Sequence, residues 1–258
     1  MKAIIIAAGN SSRLGGITKE LPKGLLKIGQ KSIIQRQIEF YRKNGIKEII
    51  IVTGPNSDKF NFKNVIYVYD DNHDKHDVLG SLMAAREFMK EGFIMSYSDI
   101  IFEEEILKEI MKFNGKIGIA LDFNWREKYV GRTNHPLSEA DNVLMQSGKI
   151  VKTKKFIENG TKENIYELLP IMILSQDGAN SFIKRFEELE KTHEGKFHET
   201  EYLEKAVLTD MLQELLDLGV DIDPIKISNK WCEIDTEQDL ERAKNEFSQE
   251  RYLDIIYF

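Results

Sequence analysis

The residues best suited to chemistry lie between positions 2 and 31, KAIIIAAGNSSRLGGITKELPKGLLKIGQK. A short apolar run leads into a Gly/Ser-rich loop at 9–16, followed by Lys19, Lys23, Lys27 and Lys31; with Arg13 these make five cations, and Glu20 is the only acid among them. Small residues let backbone N–H groups approach an anion closely, so this loop and its cations suit a triphosphate. Two distant carboxylates complete the set. Asp99 follows the buried run FIMSY, and Asp235 stands between the apolar Ile234 and the capping residue Thr236. Alone, each reads more readily as a surface or capping acid. Together with a basic loop they suit Mg²⁺, which takes one or two carboxylates plus phosphate oxygens and waters.

These residues need elements to bring them together. Residues 3–8 read as a buried strand bounded by Gly9, and 32–44 as a helix with Ser32 as N-cap and Gly45 as its stop. In that helix Ile33, Ile34, Gln37, Ile38 and Tyr41 share one face. Strands at 48–53, 65–69, 93–97 and 117–121 alternate with helices at 77–90 and 103–113. Strand–helix–strand spacing of this kind predicts a doubly wound, mostly parallel α/β sheet, with the ligand crevice at the carboxyl ends of its strands. Residues 123–175 break the alternation and read as a substrate-facing β insertion with strands at 142–145, 149–153 and 169–174. Helices at 178–191, 199–218 and 236–247 and a strand at 224–227 follow. The expected organisation is one domain over 1–258: a nucleotide-binding half at 1–122, the insertion, and a helical part from 176 carrying the second metal Asp.

The net charge of −7 concentrates positive charge in the opening segment and disfavours nucleic acid or anionic membrane as partners. Cys232 is the only cysteine, which excludes an intramolecular disulfide and fits a reducing cytoplasm. The N-terminal apolar run is too short for a signal peptide, so a soluble cytoplasmic protein is expected. The apolar residues 253–258, LDIIYF, suit an interface such as that of a homodimer.

AAGNSSRL with LPKGLLKIGQKSII resembles the signature of the nucleotidyltransferases that activate sugar phosphates, phosphocholine and phosphonates; SYSD and WCEIDTEQDLERA follow in the expected order. That resemblance implies a Rossmann-like nucleotidyltransferase fold. It places Ala8, Gly9, Asn10, Ser11 and Ser12 around the nucleotide, Arg13 and Lys23 on the triphosphate, Asp99 and Asp235 on Mg²⁺, and Ser81 at the cytosine edge. This loop has fewer glycines than is usual in the family, so Ser11 and Ser12 would replace backbone approach by hydroxyl contacts.

WREKYVGRTNHPLSEADNV, residues 125–143, and AVLTDMLQELLDLGVDIDPI are similar to the phosphonate cytidylyltransferase branch. The implied reaction transfers CMP from CTP to a small phosphonate such as 2-aminoethylphosphonate and releases pyrophosphate. Arg132 would grip phosphonate oxygens, His135 would donate to them, Glu139 or Asp141 would pair with an amine, and Lys155 would reach the transferred group. Phosphocholine or a sugar 1-phosphate is the alternative acceptor, the former wanting an aromatic face such as Trp125 or Tyr129. A noncatalytic sensor would bind CTP without releasing pyrophosphate. A nicotinamide dehydrogenase lacks support, since GNSSRLGG is not GxGxxG, and no GK[ST] marks a P-loop. His73 and His76 read as loop residues, and Trp231 as packing beneath Asp235.

Overall fold

The opening apolar run is strand β1 (Lys2–Ala7), and in the computed structural model, which describes residues 1–9, 14, 21–158 and 164–247, it lies at the centre of the molecule. Successive strand side chains point to opposite faces, and here both faces are covered. Ile4 and Ile6 join one core with Leu82, Phe182 and Met211, while Ala3, Ile5 and Ala7 join another with Ile34, Ile38 and Ile106. That double burial explains why the segment is apolar at every position instead of alternating.

A two-residue hairpin, β2 (Lys27–Ile28) and β3 (Lys31–Ser32), leads into α1 (Ile33–Lys43). Ser32 Oγ caps α1 by accepting the Gln35 amide, and the buried face is the one the periodicity predicts: Ile33, Ile34, Gln37, Ile38 and Tyr41. Strands β4 (Ile49–Thr53) and β5 (Ile66–Tyr69) follow. The helix expected at 77–90 breaks at Ala85 into α2 (Val78–Ala84) and α3 (Arg86–Met89). Next come β6 (Phe93–Tyr97), β7 (Ile100–Phe102), α4 (Glu104–Met111) and β8 (Ile117–Asp122). The insertion supplies β9 (Asp141–Gln146), β10 (Lys149–Lys155) and β11 (Ile165–Leu174). Ser147 and Gly148, both at positive φ, make the tight β9–β10 turn. The chain closes with α5 (Gln176–Thr192), α6 (Leu208–Asp217), β12 (Ile222–Ile227), β13 (Trp231–Glu233) and α7 (Glu237–Phe247).

Strands β6, β1, β4 and β5 lie side by side and parallel, as the strand–helix alternation requires. Beyond β6 the sheet differs from a simple continuation. The long β11 runs antiparallel between β6 and β8, and β8 then pairs in parallel with β12. An apolar run does not encode strand direction, so the sequence pattern could not place β11. Its register shifts between Leu168 and Met172, around Pro170, which has no N–H to give a ladder. The preceding part of β11 turns to pair with β9, extending the sheet into the insertion.

One further expectation is corrected. The helix read over 199–218 begins only at Leu208, because the Asp210 carboxylate accepts the amides of Val207 and Glu199 and so terminates the helix there. Residues 100–102 and 231–233, which carry no strand signal of useful length, form a separate antiparallel pair, β7–β13. Among the described residues no helix is long and apolar enough to cross a membrane.

Candidate active site

Strand β6 ends at Tyr97 and the chain turns through Ser98 and Asp99 into β7. Gln37, buried on α1, holds that turn: its Nε2 donates to the carbonyls of Tyr97 (2.9 Å) and Ile100 (2.8 Å). Its Oε1 accepts from Ser96 Oγ, which in turn accepts from Tyr41 Oη. A wholly paired buried network of this kind fixes a single geometry. Pairing of β7 with β13 then sets Glu233 opposite Ile100, and the Ile234 amide donates to the Asp99 carbonyl at 3.0 Å. Asp99 and Asp235, far apart in the chain, thereby become neighbours.

Asp235 is fixed from the other side. Thr236 and Asp239 close a capping box on α7: the Thr236 amide (3.0 Å) and hydroxyl (2.8 Å) donate to Asp239 Oδ2, and the Asp239 amide donates to Thr236 Oγ1. Lys23 stands on a 3-10 turn, Lys23–Leu25, that packs closely on the Asp99 turn. A Cβ on Gly24 would lie 2.5 Å from Ile34 Cδ1 and 2.9 Å from Ser98 Cβ, so only glycine permits that approach.

Lys23 Nζ lies 2.6 Å from Asp235 Oδ1 and 3.1 Å from Asp99 Oδ2. Burial lowers the affinity of that amine for its proton, but the two carboxylates outweigh it and hold Lys23 protonated. Asp99 Oδ1 is buried and makes no hydrogen bond among the described residues. Glu233 adds a further acid, held protonated far above the ordinary carboxylate range by burial and by the charges of Asp235 and Asp99. An orphaned carboxylate oxygen beside two crowded acids suits a hard cation that draws its remaining ligands from phosphate and water. No group of three or more His, Cys, Asp or Glu among the described residues forms a ready-made metal cage.

This cluster opens on a cavity of about 440 Å³ at the carboxyl ends of β1 and β6. Ala8, Gly9 and Ser81 line it together with Lys23, Asp99 and Asp235, and so do His135, Glu139 and Lys155. Asp141 and Tyr129, also named from the sequence, line the same space. Asn10, Ser11, Ser12 and Arg13 lie outside the described residues, as do residues 253–258.

Of the described candidates, Arg132 does not reach the cavity. Its Nε donates to Asp239 Oδ1 at 2.6 Å, and its guanidinium lies 5.0 Å from the Tyr129 ring centroid. The bidentate grip expected from its sequence neighbourhood gives way to a buried ion pair that ties the insertion to the helix cap behind Asp235. His135 Nδ1 lies 3.1 Å from Asp235 Oδ2, so it engages the carboxylate directly. Lys155 Nζ pairs with Glu139 at 2.6 Å. Asp141 is pushed up to about 6 by burial, with Lys155 opposing the shift. Trp125 packs in a small core with Ala140, Ile157 and Ile165 and donates Nε1 to the Ile165 carbonyl, away from the cavity. Trp231 packs on β13 with Nε1 on Asp122 Oδ2 at 2.8 Å.

Several lining residues carried no nomination. Glu167, on β11, is buried; its Oε1 accepts from Tyr129 Oη, its Oε2 has no partner among the described residues, and burial pushes it up to about 8. A lone acid inside the otherwise apolar IYELLPIMIL was the available signal, since charged residues are rarely buried without a task. His73 and His76 also face the cavity from the turn before α2.

A model of the MobA-like NTP transferase domain matches residues 3–129. The chain is 29% identical to the CTP:phosphoglutamine cytidylyltransferase of Campylobacter jejuni, over 93% of this chain and 98% of that protein. It is 30% identical to the choline-phosphate cytidylyltransferase of Streptococcus pneumoniae over 43% of this chain and 51% of that protein. The solved CTP:phosphocholine cytidylyltransferase from Streptococcus pneumoniae superposes with a TM-score of 0.72 at 18% identity, covering 95% of this chain and 97% of that one. The strand-end cluster of Lys23, Asp99 and Asp235 on this sheet thus accompanies a near full-length likeness to nucleotidyl-transferring enzymes of the sugar-phosphate and phosphocholine-type superfamily.

Proposed function

We propose that the protein transfers CMP from CTP to a small phosphonate or phosphate ester that also carries a nitrogen group, 2-aminoethylphosphonate being the simplest such acceptor, and releases pyrophosphate. The observation that carries this reading is the Lys23 ammonium held between Asp99 and Asp235 at the mouth of the β1 and β6 strand ends. An acceptor oxygen attacks the α-phosphorus in line and the pyrophosphate oxygen leaves, so no side-chain nucleophile is required. Positioning and charge stabilisation do the work.

In this scheme Ala8, Gly9 and Ser81 seat the nucleoside, and the loop of Asn10, Ser11, Ser12 and Arg13 takes the outer phosphates with Lys23. Asp99 and Asp235 would hold Mg²⁺, which when bound neutralises charge on the phosphates. Lys23 stays protonated throughout because its two carboxylate neighbours favour the cation. His135 braces Asp235 from the acceptor side. Lys155, on the same side, is the cation available to the acceptor's oxyanion, and Glu139 already supplies its counter-charge. Asp141 and Glu167 are then the acids for the acceptor's nitrogen; Glu167 has an oxygen with no partner among the described residues to offer it.

The near full-length likeness to the Campylobacter enzyme favours a second acceptor, a phosphorylated glutamine, whose amide nitrogen would make weaker demands on Glu167. For a choline headgroup Trp125 faces its own small core, whereas Tyr129 lines the cavity with its hydroxyl on Glu167 and its ring beside the Arg132 guanidinium. Pyrophosphate release measured with each nucleoside triphosphate against 2-aminoethylphosphonate, 2-hydroxyethylphosphonate, phosphoglutamine, phosphocholine and sugar 1-phosphates tests the proposal. CTP with an amino- or amide-bearing acceptor should be fastest. Preference for a sugar 1-phosphate would refute the acceptor assignment.

A further inference from the structure

The nucleoside end of the cavity contains a polar device with no part in the scheme above. Asp70, just past β5, is 2% exposed. Its Oδ2 accepts the Ser81 hydroxyl at 2.8 Å. Its Oδ1 accepts the backbone amide of Asn72 at 3.1 Å and lies 3.1 Å from His76 Nε2. Gly80 makes room for that imidazole, since a Cβ there would stand 2.3 Å from His76 Cγ. A carboxylate has no proton to give, so Ser81 spends its own proton on Asp70 and turns only lone pairs toward the cavity.

We propose that Asp70, held by the Asn72 amide and His76, fixes Ser81 Oγ as an obligate hydrogen-bond acceptor, so that the site selects a pyrimidine bearing an amine at C4 over one bearing an oxo group. The inference rests on the reading that the nucleoside of CTP meets Ser81. A C4 amine donates to Ser81. A C4 oxo group sets lone pair against lone pair in a buried setting, at a cost of roughly tenfold to a hundredfold in binding. An unconstrained serine hydroxyl would rotate and serve either base.

The Asp70→Asn substitution reverses the polarity. The Asn72 N–H can only donate, so the side-chain oxygen stays on it and the amide NH₂ turns to Ser81. Ser81 then accepts from that amide and points its own proton at the base. Asp70 acts here as a positioning residue, and nucleotide selectivity is a readout that a merely structural role would not move.

The test compares kcat/KM for pyrophosphate release from CTP, UTP and the triphosphate of pyrimidin-2-one riboside, which has only hydrogen at C4. The wild type should rank CTP above pyrimidinone and pyrimidinone above UTP. In Asp70→Asn the CTP/UTP ratio should fall by roughly tenfold to a hundredfold, with UTP overtaking pyrimidinone. Equal losses for CTP and UTP in the folded variant would overturn the role of Asp70 and leave the CTP reading standing. A wild type that ranks UTP at or above pyrimidinone would overturn the fixed-acceptor claim without any variant, so the proposal remains exposed even if the substitution prevents folding. A wild type that favours a purine nucleotide would instead remove the CTP reading and this inference with it.

Discussion

Lys23 is the residue on which the chemistry turns, because one ammonium answers two carboxylates that would otherwise repel each other across a buried space. Replacing Asp235 by Asn keeps the shape and removes the charge. The expected result is a loss of about 10²–10³ in kcat, the scale found when a single preorganised electrostatic group is removed, with the thermal transition retained. Wild-type turnover in that variant would exclude Asp235 from the site. Glu167 makes a separate prediction about stability. Its folded-state value of about 8 lies above the ordinary carboxylate value of 4.5, so the folded protein binds more protons than the unfolded chain between those limits. Stability from this group is complete at low pH and is lost as pH rises toward 8. Glu167→Gln should therefore raise the melting temperature at pH 8.5 but not at pH 4.5. The expected gain is a few kcal/mol, since each tenfold difference in proton affinity between the folded and unfolded chain is worth about 1.4 kcal/mol. Denaturation scans at the two pH values decide it, and the same variant should raise KM for an amine-bearing acceptor.

Among the elements, the pairing of β7 with β13 is what creates the site. Each is three residues long, yet their register places Asp99 beside Ile234 and so beside Asp235. The Arg132–Asp239 pair locks the cap behind that junction to the insertion. Removing one partner of a buried pair leaves the other charge stranded, so Arg132→Met should cost about 3–5 kcal/mol in stability. Its kinetic signature should be a lower kcat with KM for the acceptor unchanged. A large rise in acceptor KM at constant kcat would return Arg132 to substrate binding. The legibility of these features follows their range along the chain. The buried face of α1 could be read residue by residue because a helical face is a local pattern. Arg132 could not, since its partner lies 107 positions away and a guanidinium near a His-Pro turn looks the same whether it holds a ligand or a helix cap. The antiparallel β11 and the late start of α6 escaped for related reasons: strand direction leaves no trace in composition, and the amides that Asp210 caps belong to a loop.

Across the molecule, the parallel strands deliver Ala8, Gly9 and Asp99 to one end of the sheet, while the insertion brings His135, Glu139 and Lys155, and the β13–α7 junction Asp235, to the same place. Two substrates can thus meet across a single cavity, which is what nucleotidyl transfer requires and simple hydrolysis does not. The opening segment and the two aspartates could be nominated for a triphosphate site because their chemistry is carried by residue type, and Lys23, Asp99 and Asp235 do lie together. Glu167 and Asp70, single acids in strand and turn, gain meaning only from what surrounds them in space. Phosphorus NMR of the protein incubated with CTP, Mg²⁺ and 2-aminoethylphosphonate or phosphoglutamine is the decisive measurement. Nucleotidyl transfer should give free pyrophosphate together with a new resonance pair from a P–O–P linkage joining the α-phosphorus of CMP to the acceptor. CTP that remains intact, or that yields free CMP and no acceptor-linked product with either compound, would rule that transfer out.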